Sequence, residues 1–203
     1  MIGIISGSQR LDSESLRIAK FIGERLSLKT KSEQSFFIYD LALQALPFWQ
    51  EAAQRREAEV EQLAELSKNL QSCSAFVFIT PEWGGMATPA IKNFFLHCDK
   101  GELAHKPALL VSVSSGPGGA YPIAELRSFG FKNTKVCFIP DHLIVRQVEQ
   151  LFQMDQEKNN VSASDYFQRR IDYSLDVLLL YDAALETVRL NPALKNSEFR
   201  FGM

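Results

Sequence analysis

Ile2-Gly3-Ile4-Ile5-Ser6-Gly7-Ser8-Gln9-Arg10-Leu11-Asp12-Ser13-Glu14-Ser15-Leu16 is a short apolar run that breaks into a polar turn and leads into a helix. Its apolar and small residues predict a buried strand, and Gly7-Ser8 stops it. From about Ser13 onward, Leu16, Ala19, Lys20, Ile22, Gly23 and Leu26 follow helical rather than alternating spacing. A helix N-terminus offers unpaired N–H groups and a partial positive charge to whatever the turn encloses. Here the turn adds the hydroxyls of Ser8, Ser13 and Ser15 and the guanidinium of Arg10. That set suits a phosphate dianion. A pyrophosphate turn needs G-x-G-x-x-G and a P-loop needs G-x-x-x-x-G-K-[ST]; this turn is neither, and hydroxyls with an arginine fit a terminal monophosphate. The same residues also suit an ordinary helix cap, with Ser13 or Asp12 at the N-cap and Arg10 in solvent.

Working outward, apolar runs rich in β-branched and aromatic residues recur at Ile2–Ile5, Phe36–Tyr39, Ala75–Ile79, Ala108–Val113 and Val136–Ile139, separated by mostly helical segments. Such alternation marks βαβ units. Near-continuous hydrophobicity within each run points to strands covered on both faces, hence a doubly wound parallel sheet with helices on either side. Val60, Leu63, Ala64 and Leu70 give the second helix an apolar stripe, and Ile91, Phe94, Phe95 and Cys98 give one to the third. Residues 145–161 have no clear period and read as a loop with a short helical turn. A closing helix follows over about 164–190, with Ile171, Leu175, Leu178, Leu185 and Val188 on one side and Asn191-Pro192 ending it.

The 203 residues are read as one domain spanning 1–203. With 46% hydrophobic and 23% charged residues the composition is that of a globular protein, and no apolar run reaches membrane-span length. Met1 leads straight into a strand, so no signal peptide is expected. Cys73, Cys98 and Cys137 are odd in number and widely spaced, which predicts a reduced, cytoplasmic protein without a disulfide framework. His97, His105 and His142 are too scattered to suggest a metal site. A net charge of −2 leaves no electrostatic footprint for nucleic acid, and Arg55-Arg56 and Arg169-Arg170 read as solvated helix faces.

In an open parallel sheet, ligands sit beyond the carboxyl ends of the strands, where strand order reverses, so the loops after strands one, three and four should converge. After the third comes Thr80-Pro81-Glu82-Trp83-Gly84-Gly85-Met86-Ala87-Thr88-Pro89-Ala90-Ile91-Lys92-Asn93. A Gly-Gly turn beside an aromatic ring can bring backbone N–H groups against a flat heterocycle. After the fourth comes Ser114-Ser115-Gly116-Pro117-Gly118-Gly119-Ala120, whose glycines permit close approach to a ligand and equally serve a tight turn.

These stretches together resemble the NAD(P)H-dependent FMN reductases. Gly7-Ser8-Gln9-Arg10-x-x-Ser13 is similar to that family's G-S-x-R-x-x-S, and Pro81 to Asn93 to its P-E-Y-N-G-x-x-x-x-x-L-K-N, with Trp83 in place of Tyr and Gly84 in place of Asn. Ser114 to Gly119 followed by Leu126-Arg127 is similar to S-x-G-x-x-G-G ahead of L-R, one residue shorter. Lys106-Pro107, Asp40-Leu41 and Leu46-Pro47 also sit as in the family, and the likeness covers roughly residues 2–140. The resemblance implies a flavodoxin-like five-stranded parallel sheet of order 2-1-3-4-5. It further implies an FMN phosphate held by Ser8, Arg10, Ser13, Ser15 and the Leu16 amide, with Pro81, Glu82, Trp83, Gly84, Gly85, Ser115 and Gly116 bordering the ring. The implied activity is hydride transfer from NADH or NADPH to the flavin and onward to a small-molecule acceptor: a flavin, a quinone, an azo compound or a metal ion. No catalytic side chain is assigned, because the flavin carries the redox chemistry. A homodimer or a pair of dimers is implied, with each flavin near a subunit boundary; the alternative is that residues 145–163 fold over the site within one chain. Two readings without turnover stand beside this one: an electron carrier of the flavodoxin kind, and a binding or interaction module on the same fold that has lost flavin.

Overall fold

The computed structural model describes residues 1–32 and 35–195. Its chain order is β1 (Ile2–Ser6), α1 (Glu14–Thr30), β2 (Phe36–Asp40), α2 (Glu57–Gln71), β3 (Ala75–Trp83), β4 (Met86–Ala87), α3 (Pro89–His97), β5 (Pro107–Val113), α4 (Ala120–Phe129), β6 (Cys137–Val145) and α5 (Val161–Arg189). Five long strands run parallel in the order β2-β1-β3-β5-β6, and β4 pairs antiparallel with the end of β3. Without the two-residue β4 this is the expected 2-1-3-4-5 order, with the reversal flanking β1.

Strand periodicity divides the core in two. Ile2 and Ile4 of β1, Ala75, Val77 and Ile79 of β3, and Leu109, Val111 and Val113 of β5 face α1 and α5. The alternate residues Ile5, Phe76, Phe78, Ala108 and Leu110 face α2, α3 and α4. Because both faces are covered, both sets are apolar and the alternation disappears from the sequence. Phe78, Phe94 and Phe95 interlock at centroid distances of 4.9–6.0 Å, so the α3 face is bound by ring contacts as well as area.

Two helices depart from their expected stripes. In α2 the buried side chains are Leu66 and Leu70, with Leu63 half-buried, while Val60 and Ala64 face solvent. The face is rotated because Glu59, one turn in, is itself buried: its Oε2 accepts from Arg56 N–H at 2.9 Å, closing a capping box that sets the helix's entry. In α5 only Ile171, Ser174, Leu175 and Leu178 are buried; Leu185 is half-buried and Val188 exposed. At 29 residues the helix is about 43 Å long and outruns the sheet, so its last turns are held by polar bonds. Ser74 Oγ donates to Asp182 at 2.6 Å and Arg189 pairs with Asp182 at 2.9 Å. Ion pairs Arg25–Asp172 and Lys29–Asp176 tie α1 to α5, each contributing about 0.2–1 kcal/mol at this half-exposed seam.

β6 is longer than expected and slips register with β5 between Ala108 and Leu110, a bulge around Pro140 and Asp141. Arg127 caps the displaced carbonyls of Ile139 and Asp141 at 2.8 and 2.9 Å, and Arg170 from α5 grips the Asp141 carboxylate. Burial raises the Asp141 carboxyl, but hydrogen bonds from Arg170 and Ser174 outweigh it and leave the group below its ordinary range.

Candidate functional site

Everything expected at the site lies at the carboxyl ends of β1, β3 and β5. Ser13 is the N-cap of α1: its Oγ accepts from Leu16 N–H at 3.1 Å. The expected Leu16 amide is therefore occupied by the cap, which leaves the first-turn N–H groups of Glu14 and Ser15, without intrahelical partners, as the helix-end donors. Asp12, with φ +52, turns the chain from Arg10 into the helix. Ser8 is buried and its Oγ accepts from Arg10 N–H at 3.1 Å, keeping the hydroxyl hydrogen for another acceptor. Ser15 is 1% exposed and its Oγ has no partner among the described residues. An orphaned hydroxyl at a helix N-terminus, beside free amides and an arginine, fits an oxyanion.

These residues share one cleft of about 300 Å³, lined by Ser8, Arg10, Ser13 and Ser15 on one side and Pro81, Glu82, Trp83 and Ser115 on the other. Arg10 carries the one cationic side chain in that lining. Glu14 is turned aside to Arg17, and Glu82 Oε2 accepts from Gly119 N–H at 2.7 Å. The Arg10 guanidinium lies over the Trp83 ring, 5.3 Å from its centroid.

Gly84, Gly85, Leu16 and Gly116 stand outside the lining. The two glycines form the tip of a hairpin, Trp83 pairing with Met86 and Glu82 with Ala87. Their φ values of +57 and +77 are those of a type I′ turn, which a side chain at either position would strain. Beneath it Thr88 caps α3 and donates through Oγ1 to Gly7 O at 2.5 Å, joining the hairpin's base to the β1 turn. Gly116 N–H donates to Ser114 Oγ at 3.3 Å, so this loop is closed on itself.

A fourth contributor comes from residues 145–163, whose folding over the site within one chain is the alternative to closure by a partner. Val148 and Glu149 complete the cleft wall from the segment after β6. That segment is two single turns of 3-10 helix, Val148–Gln150 and Gln156–Lys158, and it reaches the site because Arg17 draws it in. The Arg17 guanidinium donates to the carbonyls of Val148, Leu151 and Phe152 at 2.7–3.0 Å. Gln147 N–H and Val148 N–H bond to Gly116 O and Ser114 O, zipping it to the β5 loop. The carrying signal was a lone Arg on a helix face, which local spacing cannot distinguish from a solvated charge.

Comparison with known proteins bears on this geometry. Residues 1–150 match the family model described as NADPH-dependent FMN reductase. An NADPH azoreductase of Bacillus sp. (strain OY1-2) is 26% identical over 116 residues, 57% of this chain and 60% of that protein. An oxidoreductase from Corynebacterium diphtheriae superposes with a TM-score of 0.68 at 15% identity, covering 90% of this chain and 96% of its own. FerB, a flavoenzyme NAD(P)H:(acceptor) oxidoreductase from Paracoccus denitrificans, gives 0.64 at 19% identity, covering 90% and 97%. At such identities the superpositions establish the fold, a flavodoxin-like α/β sheet. The family match does more, since it takes in the β1 turn, the β3 hairpin and the β5 loop at once: the chain belongs to the NADPH-dependent FMN reductase family.

Proposed function

We propose that the chain is an FMN-dependent oxidoreductase that takes hydride from NADPH or NADH and passes electrons to a small-molecule acceptor. The observation that carries this reading is the cleft at the N-terminus of α1, where the buried, unpartnered Ser15 hydroxyl, the free amides and Arg10 converge. Bound FMN supplies the hydride chemistry there. The chain's own residues bind and orient: Ser8, Ser13, Ser15 and Arg10 take the phosphate, Pro81 to Gly85 and Ser115-Gly116 border the ring, and Trp83 walls it. No side chain is assigned a catalytic role. Flavin, quinone, azo compound and metal ion all remain acceptors for this reading, and the azoreductase relative favours the azo class. Visible absorption of the purified protein tests it. A flavin spectrum that bleaches with NADPH and recovers under air supports the enzyme; flavin without turnover indicates a carrier, and no flavin after adding FMN indicates a module.

The protein is further read as one flavodoxin-like unit over residues 1–203 that works in the cytoplasm as a homodimer or a pair of dimers. Cys73 and Cys98 are buried free thiols and Cys137 a half-buried one, which suits a reducing compartment. Among the described residues no helix is long and apolar enough to cross a membrane. For the dimer, Asn93 holds the loop after β2 against α3, bonding Trp49 N–H and Pro47 O at 2.9 and 2.8 Å. Phe48, Trp49, Leu96 and Met86 are exposed apolar side chains of the kind that two-fold association would bury. Light scattering at micromolar concentration is expected to give about twice 22.9 kDa or a multiple of that; a fully active monomer overturns the dimer.

A further inference from the structure

Beside the hairpin tip, outside the phosphate cleft, stands a large aromatic side chain that nothing among the described residues covers. Tyr121 is 73% exposed in the first turn of α4, and its hydroxyl makes no hydrogen bond among the described residues. Its backbone is nonetheless fixed. Gly119, the N-cap of α4, gives its N–H to Glu82 Oε2, and Glu125, one turn on and on the same helix face, accepts from Ala87 N–H at 2.7 Å and pairs with Lys92 at 2.5 Å. Both ends of the hairpin are thus bound to α4, one at its N-cap and one at Glu125 on the face that carries Tyr121. A Cβ at Gly85 would meet Tyr121 Cδ2 first, at 3.7 Å, an ordinary van der Waals distance, so the ring lies directly beside the hairpin tip.

Two aromatic rings therefore flank one slim turn: Trp83 toward the cleft, with Arg10 over it, and Tyr121 toward the outside. We propose that Tyr121 forms the outer aromatic wall of the acceptor site and selects planar aromatic two-electron acceptors over small inorganic ones. The inference rests on the FMN-oxidoreductase reading. A flat acceptor approaching a ring bordered by Pro81 to Gly85 passes the hairpin tip, and Tyr121 is the aromatic surface it meets there. Stacking on a fixed ring favours any flat conjugated molecule and gives nothing to an octahedral anion. A stability role does not account for the residue, since an exposed side chain without partners contributes little to folding.

The test compares 2-methyl-1,4-naphthoquinone with ferricyanide, using FMN-loaded wild type, Tyr121→Ala and Tyr121→Phe, each driven by NADPH. In Tyr121→Ala the ratio of kcat/KM for the quinone to that for ferricyanide is expected to fall about 10-fold, mainly through KM, and Tyr121→Phe should restore it. An unchanged ratio in Tyr121→Ala, or a fall that Phe does not rescue, overturns the proposal. Equal loss with both acceptors, accompanied by slower flavin bleaching by NADPH without oxygen, also overturns it and moves Tyr121 to the hydride-donor side. Wild-type protein that binds FMN but reduces neither acceptor instead overturns the oxidoreductase reading beneath it.

Discussion

Arg10 stands between two competing partners, the Trp83 ring and a phosphate. Its guanidinium lies over Trp83 and lines the cleft as its one cation, without any carboxylate partner recorded for it among the described residues. An exposed cation–π contact contributes only about 0.5–1 kcal/mol, less than one charge-assisted bond to a phosphate at about 1.5–3 kcal/mol. Phosphate should therefore win the arginine whenever FMN is bound. Arg10→Ala is expected to weaken FMN binding by about 10- to 150-fold in a fluorescence titration. An affinity within twofold of wild type would place the side chain in solvent, as the simple capping reading has it.

Among the elements, the junction of α4 with the β3 hairpin is built on a conformation that side chains resist. Gly119 has φ +99, and a Cβ there would lie 2.6 Å from Ile144 Cγ2. Gly119→Ala combines backbone strain with a clash against β6, so it should cost about 2–4 kcal/mol. Its midpoint in urea is expected to fall accordingly, while the bond to Glu82, made by the backbone N–H of residue 119, stays available to the alanine variant. A midpoint unchanged within error would show that β6 yields at that point. Arg17 serves the opposite end of the site in the same manner, turning an aperiodic segment into a wall by bonding three carbonyls.

Across the whole molecule, the carboxyl ends of the strands are given to the site and the amino ends to polar anchors. Lys106, buried before β5, donates to the C-terminal carbonyls Leu70 O and Gln71 O at 2.9 and 3.2 Å. Burial pulls its ammonium down from 10.5 to about 8, and burial pushes the neighbouring Cys73 thiol up from 9.0 to about 11. The two have opposite signs in stability. Between about 8 and 10.5 the unfolded chain holds the lysine proton that the folded one has released, so the Lys106 contribution rises with pH. Between 9.0 and about 11 the folded chain keeps the Cys73 proton, so that contribution falls. The combined contribution of the two groups should accordingly rise from pH 8 to 9 and be nearly level from pH 9 to 10, whereas Lys106→Met should lose more stability than wild type on going from pH 9 to 10. Parallel urea midpoints for the two proteins across that interval would refute this assignment.

How much of this was legible beforehand follows from how far each interaction reaches along the chain. Strand runs, the turn after β1 and the helix that follows are local, and period and composition determine them; the strand order and the gathering of Ser8, Arg10, Ser15, Pro81, Trp83 and Ser115 at one end of the sheet are implied by the resemblance to the family, and the structure chooses Ser13 over Asp12 as the cap. What only the tertiary structure decided involves partners far apart in sequence. The face of α2 depends on Glu59 closing a capping box, and the reach of α5 depends on where the sheet runs out beneath it. The fourth wall of the cleft depends on an arginine at position 17 finding carbonyls at 148–152. A polar side chain in solvent and one that staples two segments have the same local sequence; the difference lies in the carbonyls that folding brings to it.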